Sequence, residues 1–477
     1  MSAHTFLILL LAGYVALVVS TATVVVLENR QPAKTIAWLI VLAGIPVVGL
    51  VFFYFFGQDE RRRHALNRGN YHNIAREMQA GAAAGENDGA VTEAPGHFAP
   101  LAQMLENSGV TPVTSGNRLE LLTSGASFLK HLLQDIKAAR KHVHIETYII
   151  EDDAVGRAVR QALIACARRG VEVRLLYDDV GCWNVPQRFF RPMEEAGVLV
   201  GAFLPVRFPK LTRRMNYRDH RKLCVVDGRT GYIGGMNLAL RYVTRRTRPW
   251  QDVQMRVEGP GVAAMQRAFL SNWHFATGRL RLEERFFPAV EPLAENVKMQ
   301  VVTSSPISDF PEIMYATTWL AQNARRYLYL QTPYFMPTDS VLQALQTAAM
   351  AGVDVRLMLP QKPDAFWLRW ANDGYFSDVL AAGIRVFLYE EGFLHAKTLV
   401  MDDKCLSVGS ANMDFRSYEN NFEANAIVYD DAMAATMCDH FLRLQATCRE
   451  VKLAEWEQRP LWRKYLESHT RILSPLL

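Results

Sequence analysis

Two long apolar stretches open the chain, separated by a short charged link. Thr5–Leu27 contains no charged residue, and neither does Thr35–Gly57, which follows the link Glu28–Lys34. About 20 apolar residues in a row are enough for a helix to cross a bilayer. The pattern therefore predicts a transmembrane hairpin of two helices over residues 1–57. A cleaved signal peptide is the alternative for the first stretch, but it lacks a positive cluster and a second apolar stretch follows at once.

Positive charge follows the second stretch directly, at four arginines: Arg61, Arg62, Arg63 and Arg68. Arginine and lysine are enriched on the cytoplasmic side of membrane spans. We therefore predict that both termini and the rest of the chain lie in the cytoplasm. Residues 58–116 show no apolar period, and Gly81–Ala90 consists of small and polar residues. This composition predicts a flexible tether.

The remaining apolar segments occur twice along the chain. Arg118–Ser124 corresponds to Lys298–Ser304, and Gly170–Leu176 corresponds to Gly352–Met358, at offsets near 180 residues. Segments with helical spacing of apolar residues separate these strand-like segments. Strands that alternate with helices are typical of an α/β fold. We predict two pseudo-symmetric α/β domains packed together, at residues 117–296 and 297–477.

Composition narrows the class of protein. Half of the 477 residues are hydrophobic and the formal net charge is +5, which suits an anionic membrane surface. A nucleic-acid enzyme would more often carry a dense basic stripe, and none stands out. The cysteines form no CxxC pair and no metal-ligand spacing, so we expect free thiols in a reducing compartment. They are Cys166, Cys182, Cys224, Cys405, Cys438 and Cys448.

One short motif occurs twice and organises the rest of the chain. Both copies fit His-x-Lys-x4-Asp, and an Asn follows each His by 17 residues, after a turn of small residues. The two sets are His220, Lys222, Asp227 and Asn237, then His395, Lys397, Asp402 and Asn412. A single match arises easily by chance in a chain of this length. Two matches with the same downstream spacing do not.

Local geometry explains the spacing of the motif. Aliphatic and β-branched residues follow each His–Lys pair, which predicts a buried strand. Side chains at i and i+2 of a strand point to the same side, so each imidazole projects beside a fixed cation. The small-residue turn lets the Asn amide return to the same space. An imidazole, a cation and a neutral donor together suit a phosphoryl group. A single His would more often be structural, but the duplication favours a functional pair.

The double motif resembles that of the phospholipase D superfamily, and Gly409–Ser417 resembles its bacterial cardiolipin synthase branch. The resemblance covers most of the chain. It implies two phospholipase D-like sandwich domains whose motifs meet at one cleft. It also implies transfer of a phosphatidyl group through a phosphohistidine, with no cofactor and no metal, because two lysines supply the positive charge. In this branch two phosphatidylglycerols yield cardiolipin and glycerol.

The resemblance also assigns roles to single residues. We expect His220 to be the nucleophile and His395 the acid and base. The phosphoryl oxygens would be bound by Lys222, Lys397, Asn237 and Asn412. Asp252 and Glu423 follow their motif His by about 30 residues. They resemble the family's carboxylates that hydrogen-bond the far nitrogen of each His, although a plain surface charge is the alternative.

Other residues near the motifs have less certain roles. Tyr148 and Tyr334 end matched strands and are expected to line the cleft as substrate-binding residues, although simple packing at a strand end is equally compatible. Asp227 and Asp402 lie five residues beyond their lysines, on the opposite face of the strand. Within the catalytic motifs, these two are expected to make structural hydrogen bonds. Asp219 stands where the family frequently has Asn, which places an extra negative charge near the first motif.

Three alternatives remain from other classes of protein. A phospholipase D-type hydrolase would use the same residues with water as the acceptor. A membrane-tethered nuclease fits the motif but not the lack of a basic track, and a non-catalytic scaffold has no use for two complete motifs. We predict a multi-pass phosphatidyltransferase of the bacterial inner membrane with cytoplasmic catalytic domains. Its expected partners are phospholipids such as phosphatidylglycerol and the membrane, without nucleic acid, while its oligomeric state is left open.

Overall fold

A computed structural model describes residues 3–27, 32–45, 48–51, 53, 91–206, 216–244, 249–278, 283–472 and 474. The chain divides into two compact units. One contains residues 1–70 and 206–217, and the other contains residues 71–205 and 218–477.

The first unit contains two apolar helices, α1 (Ala3–Leu27) and α2 (Pro32–Gly44). Among the helices that the structure describes, α1 is the one long and apolar enough to cross a membrane, with a mean hydropathy of 2.3 over residues 4–27. Val25 of α1, Leu42 of α2 and Phe53, which follows α2 along the chain, form one buried cluster. The predicted second span is described only in part. The four arginines after it lie outside the described residues, so the predicted orientation stays a prediction.

The second unit repeats one order of helices and strands. Its first half contains α3 (Ala99–Asn107), β1 (Thr114–Leu122), α4 (Gly125–Ala138), β2 (His142–Thr147), α5 (Ala154–Arg168), β3 (Glu172–Asp178), α6 (Gln187–Glu195), β4 (Leu199–Phe203), β5 (Arg218–Asp219), β6 (Leu223–Val226), β7 (Thr230–Gly234), β8 (Trp250–Gln251), β9 (Gln254–Glu258) and α7 (Val262–Thr277).

The second half follows the same plan with additions at its C-terminal end. It contains β10 (Val297–Ser304), α8 (Glu312–Asn323), β11 (Tyr327–Gln331), β12 (Phe335–Met336), α9 (Asp339–Met350), β13 (Asp354–Pro360), α10 (Phe366–Ala381), β14 (Arg385–Tyr389), β15 (Phe393–Leu394), β16 (Thr398–Met401), β17 (Cys405–Gly409), β18 (Met413–Asp414), α11 (Phe415–Glu419), β19 (Asn421–Tyr429), α12 (Asp431–Gln445), β20 (Cys448–Val451), α13 (Leu453–Glu457) and α14 (Leu461–Ile472).

The structure differs from the flexible tether expected over residues 58–116. Helix α3 and the start of β1 lie inside that range. Phe98, Leu101 and Leu105 are buried in the core of the second half. Their spacing of three and four residues is that of an amphipathic helix, which the small and polar residues before it obscure. The predicted tether is therefore too long at its C-terminal end, while residues 58–90 lie outside the described part of the chain.

Sheet topology confirms the internal repeat. The first half has the strand order β1-β9-β7-β6-β2-β3-β4, and the second has β10-β19-β17-β16-β11-β13-β14-β20. Each strand of the first order therefore has a counterpart at the same place in the second. The two half-sheets join where β1 pairs antiparallel with β10. The predicted α/β fold with two pseudo-symmetric sandwich domains is confirmed.

Among the described residues, three apolar cores hold the second unit together. One lies between the first half-sheet and helices such as α4 and α5, and another lies between the second half-sheet and helices such as α9 and α10. The third contains side chains from both half-sheets, including Val225 and Ile233 from one half and Val400 and Leu406 from the other. Each half-sheet is therefore covered by apolar side chains on both faces. The six cysteines are free, as predicted.

Two short parallel strand pairs connect the halves beside the motifs. In β5–β19, Asp219 lies opposite Phe422, and in β8–β15, Gln251 lies opposite Leu394. The next residue along each strand is a motif His or one of the two candidate carboxylates. These pairs therefore decide which carboxylate meets which His.

Candidate active site

The two His–Lys pairs have the same local geometry. His220, Lys222, His395 and Lys397 are all buried, with at most 8% of any residue exposed. In each copy the lysine Nζ donates a hydrogen bond to the carbonyl oxygen of the His two residues before it. This bond fixes each ammonium beside its imidazole, as the i, i+2 spacing predicts.

Asp227 and Asp402 act as backbone clamps. The Asp227 carboxylate accepts hydrogen bonds from three consecutive backbone N–H groups at residues 140–142, at 2.7–2.9 Å. Asp402 accepts three from residues 325–327, each at 2.8 Å. Both residues have a positive φ, 54° and 55°. Each clamp ties the end of a motif strand to the start of the neighbouring strand, which is structural hydrogen bonding and leaves neither carboxylate for the substrate.

Each His pairs with a carboxylate from the other half. His220 Nδ1 lies 2.9 Å from Glu423 Oε1, and His395 Nδ1 lies 2.6 Å from Asp252 Oδ2. The strand pairs described above also bring the backbones together, because His220 N donates to the Phe422 carbonyl and His395 N to the Gln251 carbonyl. A proton on Nδ1, held by the carboxylate, leaves Nε2 of each ring with a lone pair for chemistry.

The two carboxylates are held differently. Ser410 Oγ donates to Glu423 Oε2 at 2.5 Å, and Asn421 Nδ2 lies 3.3 Å from Oε1. Asp252 Oδ1 accepts from the Val253 N–H at 2.7 Å. Gly235, the counterpart of Ser410, has no room for a side chain, because a Cβ there would lie 2.2 Å from Asp252 Oδ1. Glu423 therefore gains a hydroxyl donor that Asp252 lacks.

Burial and neighbouring charges lower the pKa values of both motif histidines and both motif lysines. Burial lowers the pKa of His220 to about 4, although Glu423 opposes the shift. Burial, followed by the charges of Lys397 and Lys222, lowers the pKa of His395 well below its ordinary value. Burial also lowers the pKa of Lys222 to about 7 and that of Lys397 to about 8. Both imidazoles are therefore neutral at pH 7 in the free protein.

The pKa values of the two carboxylates are shifted in opposite directions. Burial by itself would raise the pKa of Glu423, but the charges of His220 and Lys222 and the hydrogen bond from Ser410 hold it below its ordinary value. Burial raises the pKa of Asp252 to about 7. Glu423 is therefore the more fully charged partner, so it polarises its imidazole more strongly.

Tyr148 packs against the first motif. Its ring centroid lies 5.1 Å from that of His220, and Lys222 Nζ lies 5.3 Å from the ring centroid of Tyr148. Tyr334 follows the equivalent strand of the second half, and its hydroxyl donates to Asp364 Oδ2 at 2.7 Å. Burial, followed by Asp364 and Tyr242, raises the pKa of Tyr334 well above its ordinary value. Tyr148 therefore lies beside the first motif, whereas the hydrogen-bond partner of the Tyr334 hydroxyl is Asp364.

The two motif asparagines differ in their partners. Asn237 accepts from the Ile149 N–H at 3.1 Å and donates to the Tyr242 hydroxyl at 2.7 Å. The Tyr242 hydroxyl in turn lies 3.3 Å from His395 Nδ1. Within the described part of the chain, the buried side-chain oxygen of Asn412 has no hydrogen-bond partner. The Asn237 amide is thus already engaged in support of His395, whereas Asn412 retains an unsatisfied polar group beside the second motif.

The carboxyl of Asp219, directly before His220, lies near a second buried carboxyl. Both Asp219 and Glu146 are buried. Asn272 Nδ2 contacts both groups, at 2.6 Å from Glu146 Oε1 and 3.4 Å from Asp219 Oδ1. Burial, and then the charge of Glu146, raises the pKa of Asp219 well above its ordinary value. Burial and the neighbouring carboxyl therefore oppose the extra negative charge that we expected at Asp219.

The sequence patterns did not predict that Ser410 and Tyr242 belong to the site. Ser410 lies inside the Gly-Ser-Ala-Asn turn, and the turn motif predicts only that its side chain is small. Tyr242 lies five residues after Asn237, and the matched position five residues after Asn412 is Ser417. The Ser417 hydroxyl accepts from the Asn412 N–H at 3.0 Å. A comparison of the two motif copies position by position would have drawn attention to this difference.

Comparisons with known proteins identify the family of this chain. A family model described as a cardiolipin synthase, PLD-like domain matches residues 132–273 and 319–445, and one described as phospholipase D-nuclease N-terminal matches residues 15–58. The chain is 37% identical to the major cardiolipin synthase ClsA of Bacillus subtilis, covering 98% of this chain and 99% of that one. It is 34% identical to a cardiolipin synthase of Staphylococcus aureus, covering 95% and 94%.

A solved structure supports the fold independently. Phosphatidylserine synthase of Haemophilus influenzae superposes with a TM-score of 0.58 at 14% identity, covering 75% of this chain and 95% of that one. At that identity the likeness shows the fold alone. The family predicted from the double motif is confirmed by the family model and by the full-length relatives: the chain belongs to the cardiolipin synthase family of proteins with PLD-like domains.

Proposed function

We propose that this chain is a membrane-bound phosphatidyltransferase that makes cardiolipin from two phosphatidylglycerols and releases glycerol. The observation that carries the proposal is the pair of imidazoles, each held at Nδ1 by a buried carboxylate, beside two buried lysines. Such a site can exchange the alcohol on a phosphodiester without a metal ion. The relatives named cardiolipin synthase over nearly the full chain length supply the substrate class.

In the first step, His220 Nε2 attacks the phosphorus of one phosphatidylglycerol. The bond from phosphorus to the headgroup glycerol oxygen breaks, and His395 donates a proton to that oxygen. The bound phosphodiester anion supports protonation of His395, because a nearby negative charge raises the pKa of an imidazole. The products of this step are free glycerol and a phosphatidyl group on His220.

In the second step, His395 Nε2 takes the proton from a glycerol hydroxyl of a second phosphatidylglycerol. The resulting oxygen attacks phosphorus, the bond from phosphorus to His220 breaks, and cardiolipin leaves. Lys222, Lys397 and the Asn412 amide stabilise the charge on the phosphoryl oxygens in both steps. Both catalytic histidines return to their starting protonation states, so the cycle balances.

The different carboxylates favour His220 as the nucleophile. Glu423, which accepts from Ser410 and keeps its charge, makes the His220 imidazole electron-rich. His395 Nδ1 lies near Asp252, whose pKa is raised to about 7, and also 2.8 Å from Lys397 Nζ. A neighbouring ammonium weakens an imidazole as a nucleophile. It suits a ring whose task is to give and take a proton.

The two lysines predict the alkaline limb of the pH profile. Their pKa values are lowered to about 7 and about 8, so their charge is present at lower pH and is lost as pH rises through this window. We expect kcat/KM, which reports the free enzyme, to fall between these values. The alkaline limb of kcat should occur at a higher pH, because the bound phosphodiester stabilises both ammonium groups.

Steady-state profiles of the native chain and of Lys222→Arg check this expectation. A guanidinium stays charged throughout the range, so the variant should lose the lower part of the alkaline limb even if its rate is reduced. An unchanged limb in Lys222→Arg and in Lys397→Arg would show that other groups control it.

The acceptor decides between transferase and hydrolase. Water is present at about 55 M, so transfer requires a second lipid hydroxyl held at high effective concentration over the phosphohistidine. With phosphatidylglycerol as the sole lipid, we expect cardiolipin and glycerol in a one-to-one ratio and little phosphatidic acid. Lipid mass spectrometry with enzymatic glycerol assay measures all three products. If phosphatidic acid predominates in bilayers as well as in detergent, the protein is a hydrolase.

We also propose that the protein is a multi-pass protein of the bacterial inner membrane whose catalytic unit faces the cytoplasm. The apolar helix α1, the packing of α2 against it and the four arginines after the second stretch support this orientation. A cysteine placed in the link at residues 28–34 should react with an impermeant thiol reagent in intact cells. A cysteine in residues 58–90 should react only after lysis, and the reverse pattern would invert the orientation.

A further inference from the structure

The last helix of the catalytic unit is docked with its apolar face outward. On α14, the exposed fractions are 82% for Leu461, 60% for Trp462, 63% for Tyr465, 40% for Leu466 and 74% for Ile472. These positions share one broad face of the helix. The acid on the opposite face, Glu467, is 2% exposed.

The inner face of α14 is held by ion pairs. Arg463 contacts Asp373 at 2.8 Å and Glu467 at 2.9 Å, and Arg471 contacts Asp378 at 2.7 Å. A surface helix of a water-soluble protein normally buries its apolar stripe and exposes its charges. Within the described part of the chain, the outer apolar face of α14 is therefore left largely uncovered.

The partner helix α10 connects this face to the active-site cleft. Trp370 on α10 packs against Trp462, with ring centroids 6.1 Å apart. Phe366, at the beginning of α10, is 74% exposed. Asn372 on the same helix accepts from the Phe335 N–H at 2.9 Å, next to Tyr334. Phe366 also lies two residues after Asp364, which accepts from the Tyr334 hydroxyl at 2.7 Å.

The first half carries an exposed aromatic at the equivalent place. Trp183, 60% exposed, follows β3 as Phe366 follows the matching strand β13. Its turn is closed by Asp178 Oδ1, which accepts from the Val180 and Gly181 N–H groups. Gly181 packs so closely on Tyr148 that a Cβ would lie 2.2 Å from the Tyr148 carbonyl oxygen. Both edges of the cleft thus present an exposed ring.

We propose that Trp183, Phe366 and the outer face of α14 form a docking surface that holds the mouth of the cleft against an anionic phospholipid bilayer. The inference rests on the proposed function, in which both substrates are bilayer lipids. Tryptophan and tyrosine prefer the membrane interface, and helices with such a face bind there when cations flank it. Lys464 supplies such a cation on α14.

A bilayer fits this surface better than a protein partner. The exposed side chains lie on both edges of the cleft, so a protein that covered them would obstruct lipid entry. A bilayer that covers them instead presents its lipids to the catalytic histidines. The surface also adds a contact close to the cleft, beyond the anchoring by the apolar N-terminal helices.

Fluorescence quenching in the full-length protein tests the contact. An environment-sensitive probe is attached to Trp462→Cys, and separately to Met350→Cys, after reconstitution into phosphatidylglycerol-containing vesicles. Met350 is the matched control, because it is apolar and 76% exposed but lies at the opposite end of the strands, at the end of α9. Unsubstituted protein corrects for labelling of native cysteines. Lipids brominated near the headgroup should quench the probe at 462 and leave the probe at 350 unchanged.

Equal insensitivity of both probes to brominated lipid overturns the proposal. A probe at 462 that ignores brominated lipid but changes its emission with protein concentration would instead identify a second copy of the chain as the occupant, which also overturns it. Quenching needs no turnover. The test therefore stands even if no cardiolipin forms, and that result would contradict only the proposed function.

A charge-introducing variant tests the purpose of the contact. The double variant Leu461→Glu, Tyr465→Glu should lower the rate on vesicles of phosphatidylglycerol by about tenfold or more. It removes two apolar side chains that would enter the bilayer interface and adds two charges that an anionic surface repels. Its rate on short-chain, monomeric phosphatidylglycerol should stay within about twofold of the native rate, since the catalytic groups are untouched. Met350→Glu should change neither rate. Equal losses of the double variant on both substrates would overturn the docking role.

Discussion

Replacing either His220 or His395 with alanine should lower cardiolipin formation by about 10⁴-fold. General acid–base catalysis alone contributes roughly 10²–10⁴-fold, and His220 also forms the covalent bond to phosphorus. The two rings act in sequence on the same phosphoryl group, so neither can replace the other. His131→Ala is the matched control, because this partly exposed His on α4 belongs to the first half but not to the motif. It should retain native activity.

Acid quenching of the reaction with a labelled donor shows which histidine carries the phosphatidyl group. It therefore distinguishes the nucleophile from the acid and base. A donor with an aryl leaving group needs no proton from His395, so His395→Ala should still accumulate label on the peptide that contains His220. His220→Ala should accumulate none. Label on the His395 peptide would reverse the roles and leave the two-histidine mechanism intact. If either variant kept more than about a tenth of native activity, the paired mechanism would be wrong.

Neutralising Glu423 should impair His220, although the two residues lie 203 positions apart. Glu423→Gln keeps the shape of the side chain but removes the charge that holds the proton on Nδ1, and we expect the rate to fall by about 10²–10³-fold. Asp252→Asn should reduce the rate through His395 instead. The crossed pairing therefore predicts that each carboxylate serves the other half of the protein.

The aryl donor again distinguishes the two effects. It bypasses the proton from His395, so formation of the phosphohistidine should be near native in Asp252→Asn and slow in Glu423→Gln. Asp439→Asn, an exposed acid on α12, is the control for a change of charge alone. The opposite outcome, with Asp252→Asn slow to form the phosphohistidine, would mean that each carboxylate serves the His of its own half.

Much of the fold and of the catalytic chemistry follows from local patterns. The His–Lys spacing acts over two residues and the following Asn over 17, so the chain itself displays these sets. The repeat of strands and helices was visible as matched apolar segments, and the half-sheets have the same strand order. Helix α3 was missed, because its apolar positions are few and follow a polar segment.

Contacts between segments that are distant in the sequence cannot be predicted from local patterns. The carboxylate partner of each His depends on the parallel pairs β5–β19 and β8–β15, which form only when the two halves pack. The raised pKa of Asp219 depends on its burial and then on Glu146, which packing brings close from another strand. The outward apolar face of α14 depends on ion pairs with Asp373 and Asp378 on α10.

Local order along the chain therefore identifies the reactive groups of this protein, whereas packing assigns their partners, charges and exposure. Neighbouring residues are constrained by backbone geometry, so their relative positions can be inferred from spacing. Contacts across some 200 residues depend on which surfaces exclude water together, and many arrangements share the same local pattern. Burial then sets the electrostatics: the same motif lysine that would be charged in water has its pKa lowered to about 7 inside the protein.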